Sequence, residues 1–186
     1  MERHLSEYSD SDLYTLLRSE QAEEAFSELY ARYSSAVYAY CLRVMGDRDQ
    51  AHDVFQDTFV RFYRSAERHS SLDNVKGYLL TISRNLCLNE KKRAAAQNLA
   101  FDEELYNPGM SRQAERNEMM DLIQTALELL PHDMREAFVL REYQGLSYKE
   151  MTEVLNIKLE TAKVRVFRAR QRIKEILAPY MKEMNK

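Results

Sequence analysis

Glycine and proline are scarce in this chain, at four and three residues out of 186. That leaves little material for β-turns, and no segment alternates polar and apolar residues as a half-buried strand does. An all-α fold is expected. Cysteine is equally sparse: Cys41 and Cys87 make no metal spacing and fall inside apolar helical patterns, which reads as two free, buried thiols. The four histidines (His4, His52, His69 and His132) are scattered. There is no Ser/His/Asp set and no phosphate-cradling glycine loop, so no catalytic residue, metal site or cofactor is expected. No apolar run approaches the length of a membrane span, and the opening residues 1–7 are too polar for a signal peptide. A cytoplasmic protein without membrane insertion is expected.

What is present is a local concentration of positive charge. The formal net charge is −3, but it divides unevenly. Residues 1–94 carry 13 Lys+Arg and 15 Asp+Glu, residues 95–118 carry 2 and 5, and residues 119–186 carry 12 and 10. Between Lys163 and Lys174 stand six cations (Lys163, Arg165, Arg168, Arg170, Arg172 and Lys174) and no acid. A solvated helix face ordinarily mixes signs. Just upstream, Ser147 and Glu150 form a capping-box pair, Met151, Val154 and Leu155 an apolar stripe, and Asn156 a left-handed stop. Glu160 and Thr161 then open a second helix with Ala162, Val166, Ala169 and Ile173 on one face. This is a helix-turn-helix with a basic second helix, suited in shape and charge to a DNA major groove.

Helical periodicity organises the rest. Ser9 to Asp12 can cap a helix through Leu13, Leu16 and Leu17. From about Ala22 an apolar face (Phe26, Leu29, Tyr30, Tyr33, Val37, Tyr40, Cys41, Val44) runs to Gly46. Asp47 or Asp49 can cap a third helix carrying Ala51, Val54, Phe55, Thr58, Phe59 and Phe62. After a polar loop at 65–74, a helix over 75–95 begins apolar (Tyr78, Leu79, Ile82, Leu86) and ends basic (Lys91, Lys92, Arg93). The pattern breaks around Asn107, Pro108 and Gly109, and helix resumes at 119–130 and from about 133 to 143. Two small helical domains, 1–95 and 119–186, joined by a flexible linker at 96–118, are expected. At ~3.3 Å per residue such a linker reaches roughly 80 Å, about two turns of B-DNA at ~34 Å each.

These residues resemble the small, two-domain sigma factors of bacterial RNA polymerase, the extracytoplasmic-function group of the sigma-70 family. Ala25, Phe26, Leu29, Tyr30 and Tyr33 resemble the opening of the family's first conserved region. Asp53, Gln56, Asp57 and Phe59 resemble its polymerase-binding signature. Residues 77–89 resemble the helix that reads the −10 element. Leu130, Pro131, Arg135 and Glu136 resemble the lead-in to the −35-reading helix-turn-helix. Four patterns in register cover nearly the whole chain.

The resemblance implies roles. Asp53, Gln56 and Asp57, spaced to share one helix face, would meet the β′ subunit of core RNA polymerase, with the β subunit nearby. Asn85 and Asn89, one helical turn apart, would recognise −10 bases, with Tyr78 an aromatic anchor and Lys91, Lys92 and Arg93 on phosphates. The loop 66–74 would hold a base flipped from the melting duplex. In the second domain Thr161 would stand at the start of the recognition helix. Lys163, Phe167 and Arg168 would approach −35 bases with Val164 on the same face, and Arg165, Arg170 and either Tyr148 or Lys149 would meet the backbone. Promoter DNA and an anti-sigma factor complete the implied partners. Two departures stand out: Tyr78 and Thr81 occupy positions where the family commonly has Trp and Arg, and Lys158-Leu159-Glu160 replaces Pro-x-Gly. The competing reading is a conventional helix-turn-helix regulator with an N-terminal effector domain, which leaves the patterns at 53–59 and 78–89 without a role.

Overall fold

The structure, a computed structural model, describes residues 4–98 and 118–184. Among them regular structure is entirely helical: α1 (Asp10–Leu16), α2 (Ala22–Met45), α3 (Arg48–Ser65), α4 (Val75–Asn98), α5 (Glu118–Glu128), α6 (His132–Phe138), α7 (Tyr148–Leu155) and α8 (Leu159–Met184), preceded by a 3-10 turn at Leu5–Glu7. The predicted loop around Asn107, Pro108 and Gly109 lies outside the described residues, whereas α4 continues to Asn98, beyond the expected end at 95.

Local chemistry sets most boundaries. The Ser9 hydroxyl accepts from the Asp12 N–H at 3.2 Å, and the Asp47 carboxylate from the Gln50 N–H at 2.8 Å. Gly46 ends α2 at φ 79, a left-handed conformation in which its N–H still reaches the Leu42 carbonyl at 2.9 Å. Asn74 caps α4 by accepting from the Gly77 N–H at 2.8 Å, and a Cβ at Gly77 would stand 2.6 Å from the Asn74 amide nitrogen. That clash explains a glycine inside the first turn. The helix-turn-helix follows its signals: a complete Ser147–Glu150 capping box starts α7 and Asn156, at φ 52, ends it.

Two features depart from the periodicity. The helix expected to run evenly to Tyr143 widens after Phe138 into a π-helical turn, Val139–Tyr143, closed by the Gln144 N–H on the Val139 carbonyl. Helix α8 continues past Lys174 and through Pro179 to Met184.

Helices α1–α4 bury Leu13, Tyr14, Leu29, Val37, Phe62, Leu79 and Leu80 against one another. Polar atoms inside this packing are neutral. Thr58 Oγ1 donates to the Val54 carbonyl at 2.7 Å and lies 3.2 Å from Ser83 Oγ, which donates to the Leu79 carbonyl. Tyr14 and Ser65 share a hydrogen bond of 2.9 Å. Arg32 fastens the N-terminal turn to α2 through Asp10 and the carbonyls of Tyr8 and Ser6. The same apolar cluster passes into Ala137, Leu140, Met151, Leu155 and Val166, so the C-terminal helices lie directly against α2 and α4. A smaller cluster of Leu127, Leu130 and Ala169 ties α5 to α8. Cys41 and Cys87 are free and fully buried.

Candidate nucleic-acid interface

Helix α8 displays the surface expected of a groove-reading helix. Ala162, Val166 and Ala169 are fully buried, which rotates Lys163, Val164, Phe167 and Arg168 outward. Phe167 is 61 % exposed and Val164 45 %, so neither is spent on packing. A hollow of about 340 Å³ beside Phe167 and Arg168 is floored by Pro131 and Met134. Thr161 is half-buried in the first turn, and that turn closes on the Lys158 carbonyl without the Pro or Gly of the common pattern.

The flanking cations are partly committed. Arg165 Nε stands 3.3 Å from Asp133, and Arg170 pairs with Glu142 at 2.5 Å. The Tyr148 ring is half-buried, with the Arg141 guanidinium 4.8 Å above it. Lys149 is exposed. Of the four expected backbone contacts, therefore, only Lys149 has neither an acid nor a cation against it among the described residues.

Helix α4 presents Asn85 and Asn89 to solvent one turn apart, with Lys92 and Arg93 exposed beyond them. Arg93 lies 3.8 Å from Glu90. Tyr78 is half-buried, its ring 6.4 Å from Phe62 and 6.2 Å from His69 of the preceding loop. Lys91 is placed differently. It turns inward, and its ammonium donates to His132 Nδ1 at 3.1 Å. Burial first, then the charge of Arg135, pulls Lys91 below the usual lysine range.

Asp53, Gln56 and Asp57 are all exposed on α3, and Gln56 pairs with His52 at 2.8 Å. Sequence periodicity missed what adjoins them. An apolar groove of about 690 Å³ between α2 and α3 is lined by Phe26, Tyr30, Phe55, Phe59, Val60 and Tyr63, with Gln56 on its rim. Tyr30 and Phe59 lie tilted against each other at 4.8 Å and Phe26 meets Tyr63 edge-on at 5.3 Å, so the rings hold one another in place while one side stays open. The signal was an excess of aromatics wider than one buried stripe needs, which the expected core had absorbed.

No helix among the described residues is long and apolar enough to cross a membrane.

Known proteins share this layout. Residues 29–97 match Sigma-70 region 2, and residues 120–173 match Sigma-70, region 4. The chain is 28% identical to the ECF RNA polymerase sigma factor SigE of Mycolicibacterium smegmatis over 198 residues, covering 97% of this chain and 77% of that protein. It is 30% identical to the ECF RNA polymerase sigma-E factor of Haemophilus influenzae over 172 residues, covering 86% of this chain and 90% of the relative. In structure it resembles the sigma factor RpoE of Bartonella quintana, solved in complex with the anti-sigma factor NepR. The TM-score is 0.70 at 26% identity, over 83% of this chain and 98% of that one. With both conserved regions matched in order, and a relative at this identity aligned along most of both lengths, the chain belongs to the extracytoplasmic-function group of the sigma-70 family and is a sigma factor.

Proposed function

We propose that this sigma factor docks on core RNA polymerase through α3, captures the melted −10 strand with α4 and reads the −35 element with α8. Asp53, Gln56 and Asp57 supply a polar face for Arg and Lys of the β′ subunit, and the neighbouring aromatic groove adds apolar area to the same contact. Asn85 and Asn89 offer donor and acceptor together to unstacked base edges, while Lys92 and Arg93 neutralise phosphates. Lys163, Phe167 and Arg168 face bases in the major groove: a guanine suits the Arg168 fork and a thymine methyl suits Phe167. Residues 1–95 and 119–186 act as the two binding units and 96–118 as their tether. The protein works in the cytoplasm, supplies no catalytic group, and leaves bond formation to the polymerase. An anti-sigma factor, as in the RpoE–NepR complex, is its expected regulator.

The observation that carries this reading is the pair Asn85 and Asn89, exposed together on the helix whose other face builds the core. Asparagine is a poor helix former, so local propensity does not account for two of them in register in the middle of α4 beside a basic tail. Run-off transcription with bacterial core polymerase and a library of promoter fragments tests it. Specific starts that require the protein are expected, and they should fall at least tenfold when Asn85 and Asn89 both become Ala, given ~1–3 kcal/mol per good base contact. Starts of undiminished strength with that double variant would remove α4 from −10 recognition.

A further inference from the structure

Arg84 and Lys91 lie seven residues apart, two turns along one face of α4, and both point at α6 rather than at solvent. Arg84 Nε stands 2.9 Å from Glu136 Oε1, and Lys91 Nζ stands 3.1 Å from His132 Nδ1. Glu136 is 2 % exposed and also receives the Tyr40 hydroxyl at 3.1 Å. Around it the seam is cation-rich. Arg84 and Lys91 come from α4, and Arg135 comes from α6 and reaches back to the Val44 carbonyl of α2. Asp133, the nearest further acid on α6, pairs outward with Arg165 of α8. One carboxylate thus lies against Arg84 of the −10 helix, with Lys91 of that helix and Arg135 of α6 beside the pair, while Asn85 and Asn89 of the same helix stay open.

We propose that Glu136 stands in for a backbone phosphate, so that the C-terminal helices and the promoter strand compete for one face of α4. A carboxylate and a phosphodiester each offer a guanidinium anionic oxygens, and Arg84 Nε, which lies 2.9 Å from Glu136 Oε1 without an aligned hydrogen bond, can exchange one for the other. A DNA strand brings many such acceptors and releases counterions as it binds. Glu136 has only one, so the strand displaces it, freeing Arg84 and Lys91 for phosphates and releasing α6–α8 to reach a second site on the duplex. In the closed chain the exposed asparagines and the exposed α3 face remain available for first contact. The device rests on the reading that α4 binds the −10 strand.

Dyes at D49C on α3 and E153C on α7, both exposed positions, report the separation of the two halves, because the native thiols Cys41 and Cys87 are fully buried. The probe is single-stranded DNA 12-mers of random sequence. Energy transfer in the full-length chain should fall as the DNA is added. E136Q should start at low transfer without DNA and bind the 12-mers about tenfold more tightly, the scale of one charged hydrogen bond. Unchanged transfer and affinity in a folded E136Q, or DNA binding to the wild type with no change in transfer, would overturn the proposal. Should E136Q lose helical content, Y40F takes its place. It removes one donor from Glu136, so transfer should move in the same direction by less, and no movement overturns the idea. Run-off initiation by the unlabelled wild type is scored in parallel. If it persists while the variants behave as wild type, the competition alone fails; if it is absent along with all 12-mer binding, the reading beneath it fails too.

Discussion

Two buried regions of this molecule solve the same problem with opposite chemistry. Inside α1–α4 the polar atoms are the hydroxyls of Thr58, Ser83, Tyr14 and Ser65, which need no counter-charge and sit among fully buried apolar side chains. Along the seam between α2/α4 and α6 the polar atoms are charged or amide groups: Arg84, Lys91, Arg135, Glu136, and Gln144, whose amide donates to the Ala36 carbonyl at 3.0 Å. Hydroxyls that satisfy local carbonyls add little desolvation cost and favour permanence. Buried ions recover only part of their hydration when paired, and they regain it all when the surfaces part. The first region is therefore built to stay shut and the second to come apart.

The sharpest way to break this comparison is to damage the permanent half. Phe62 is fully buried on α3 and packs against Tyr14, with ring centroids 5.4 Å apart. Phe62→Ala should cost about 3–5 kcal/mol and lower the melting temperature of the whole chain. If α5–α8 melted while α1–α4 held, the assignment of permanence would be reversed.

Acid should act on the other half. Burial, then the charges of Lys91, Arg135 and Arg84, pulls His132 down to about 4, against which Asp133 acts weakly. Because Lys91 donates to Nδ1, the closed seam holds the neutral ring, with the proton on Nε2. An opened seam exposes the imidazole, which then binds its proton near 6.5, so the open form takes up protons between about 6.5 and 4. Closure is therefore fully present above 6.5 and is lost as pH falls through that window. Glu136 works the other way, since burial raises its carboxyl despite Arg84, and so opposes part of the histidine effect. The full histidine shift corresponds to roughly 2 kcal/mol at pH 5; solvent screening of a half-buried ring reduces the expected effect to about 1 kcal/mol. Energy transfer between the two halves should fall from pH 7 to pH 5, and the fall should be absent in His132→Gln.

How much of this was legible in the sequence depends on how far each partner lies along the chain. The caps at Ser9, Asp47 and Ser147 and the stops at Gly46 and Asn156 could be read because each rests on groups within a few residues. The outward set Lys163, Phe167 and Arg168 followed from the spacing of Ala162, Val166 and Ala169. Lys91 could not be placed the same way. Its charge suggested a phosphate, while its partner His132 is 41 residues on and Arg84 meets Glu136 across a similar gap. Periodicity reports which face is apolar and nothing about which distant charge will face it. The π-helical turn and the open aromatic groove escaped for a related reason: both arise where helices meet, and a pattern along one helix contains no record of its neighbours.

The smallest expected effect separates the two regions most cleanly, because it compares equal losses in different places. Thr58→Val removes the hydroxyl beside Ser83, and Gln144→Ala removes the amide that reaches Ala36. Each loses one neutral hydrogen bond, worth about 1 kcal/mol. Thr58 lies inside the permanent unit, so its loss should appear in the denaturant midpoint of the whole chain and leave the separation of the two halves unchanged. Gln144 spans the seam, so its loss should lower energy transfer between the halves, roughly fivefold in the opening equilibrium, with the unfolding of α1–α4 unmoved. If both variants shifted the same observable by the same amount, the seam would be ordinary core. The charges along it would then serve the fold rather than its opening.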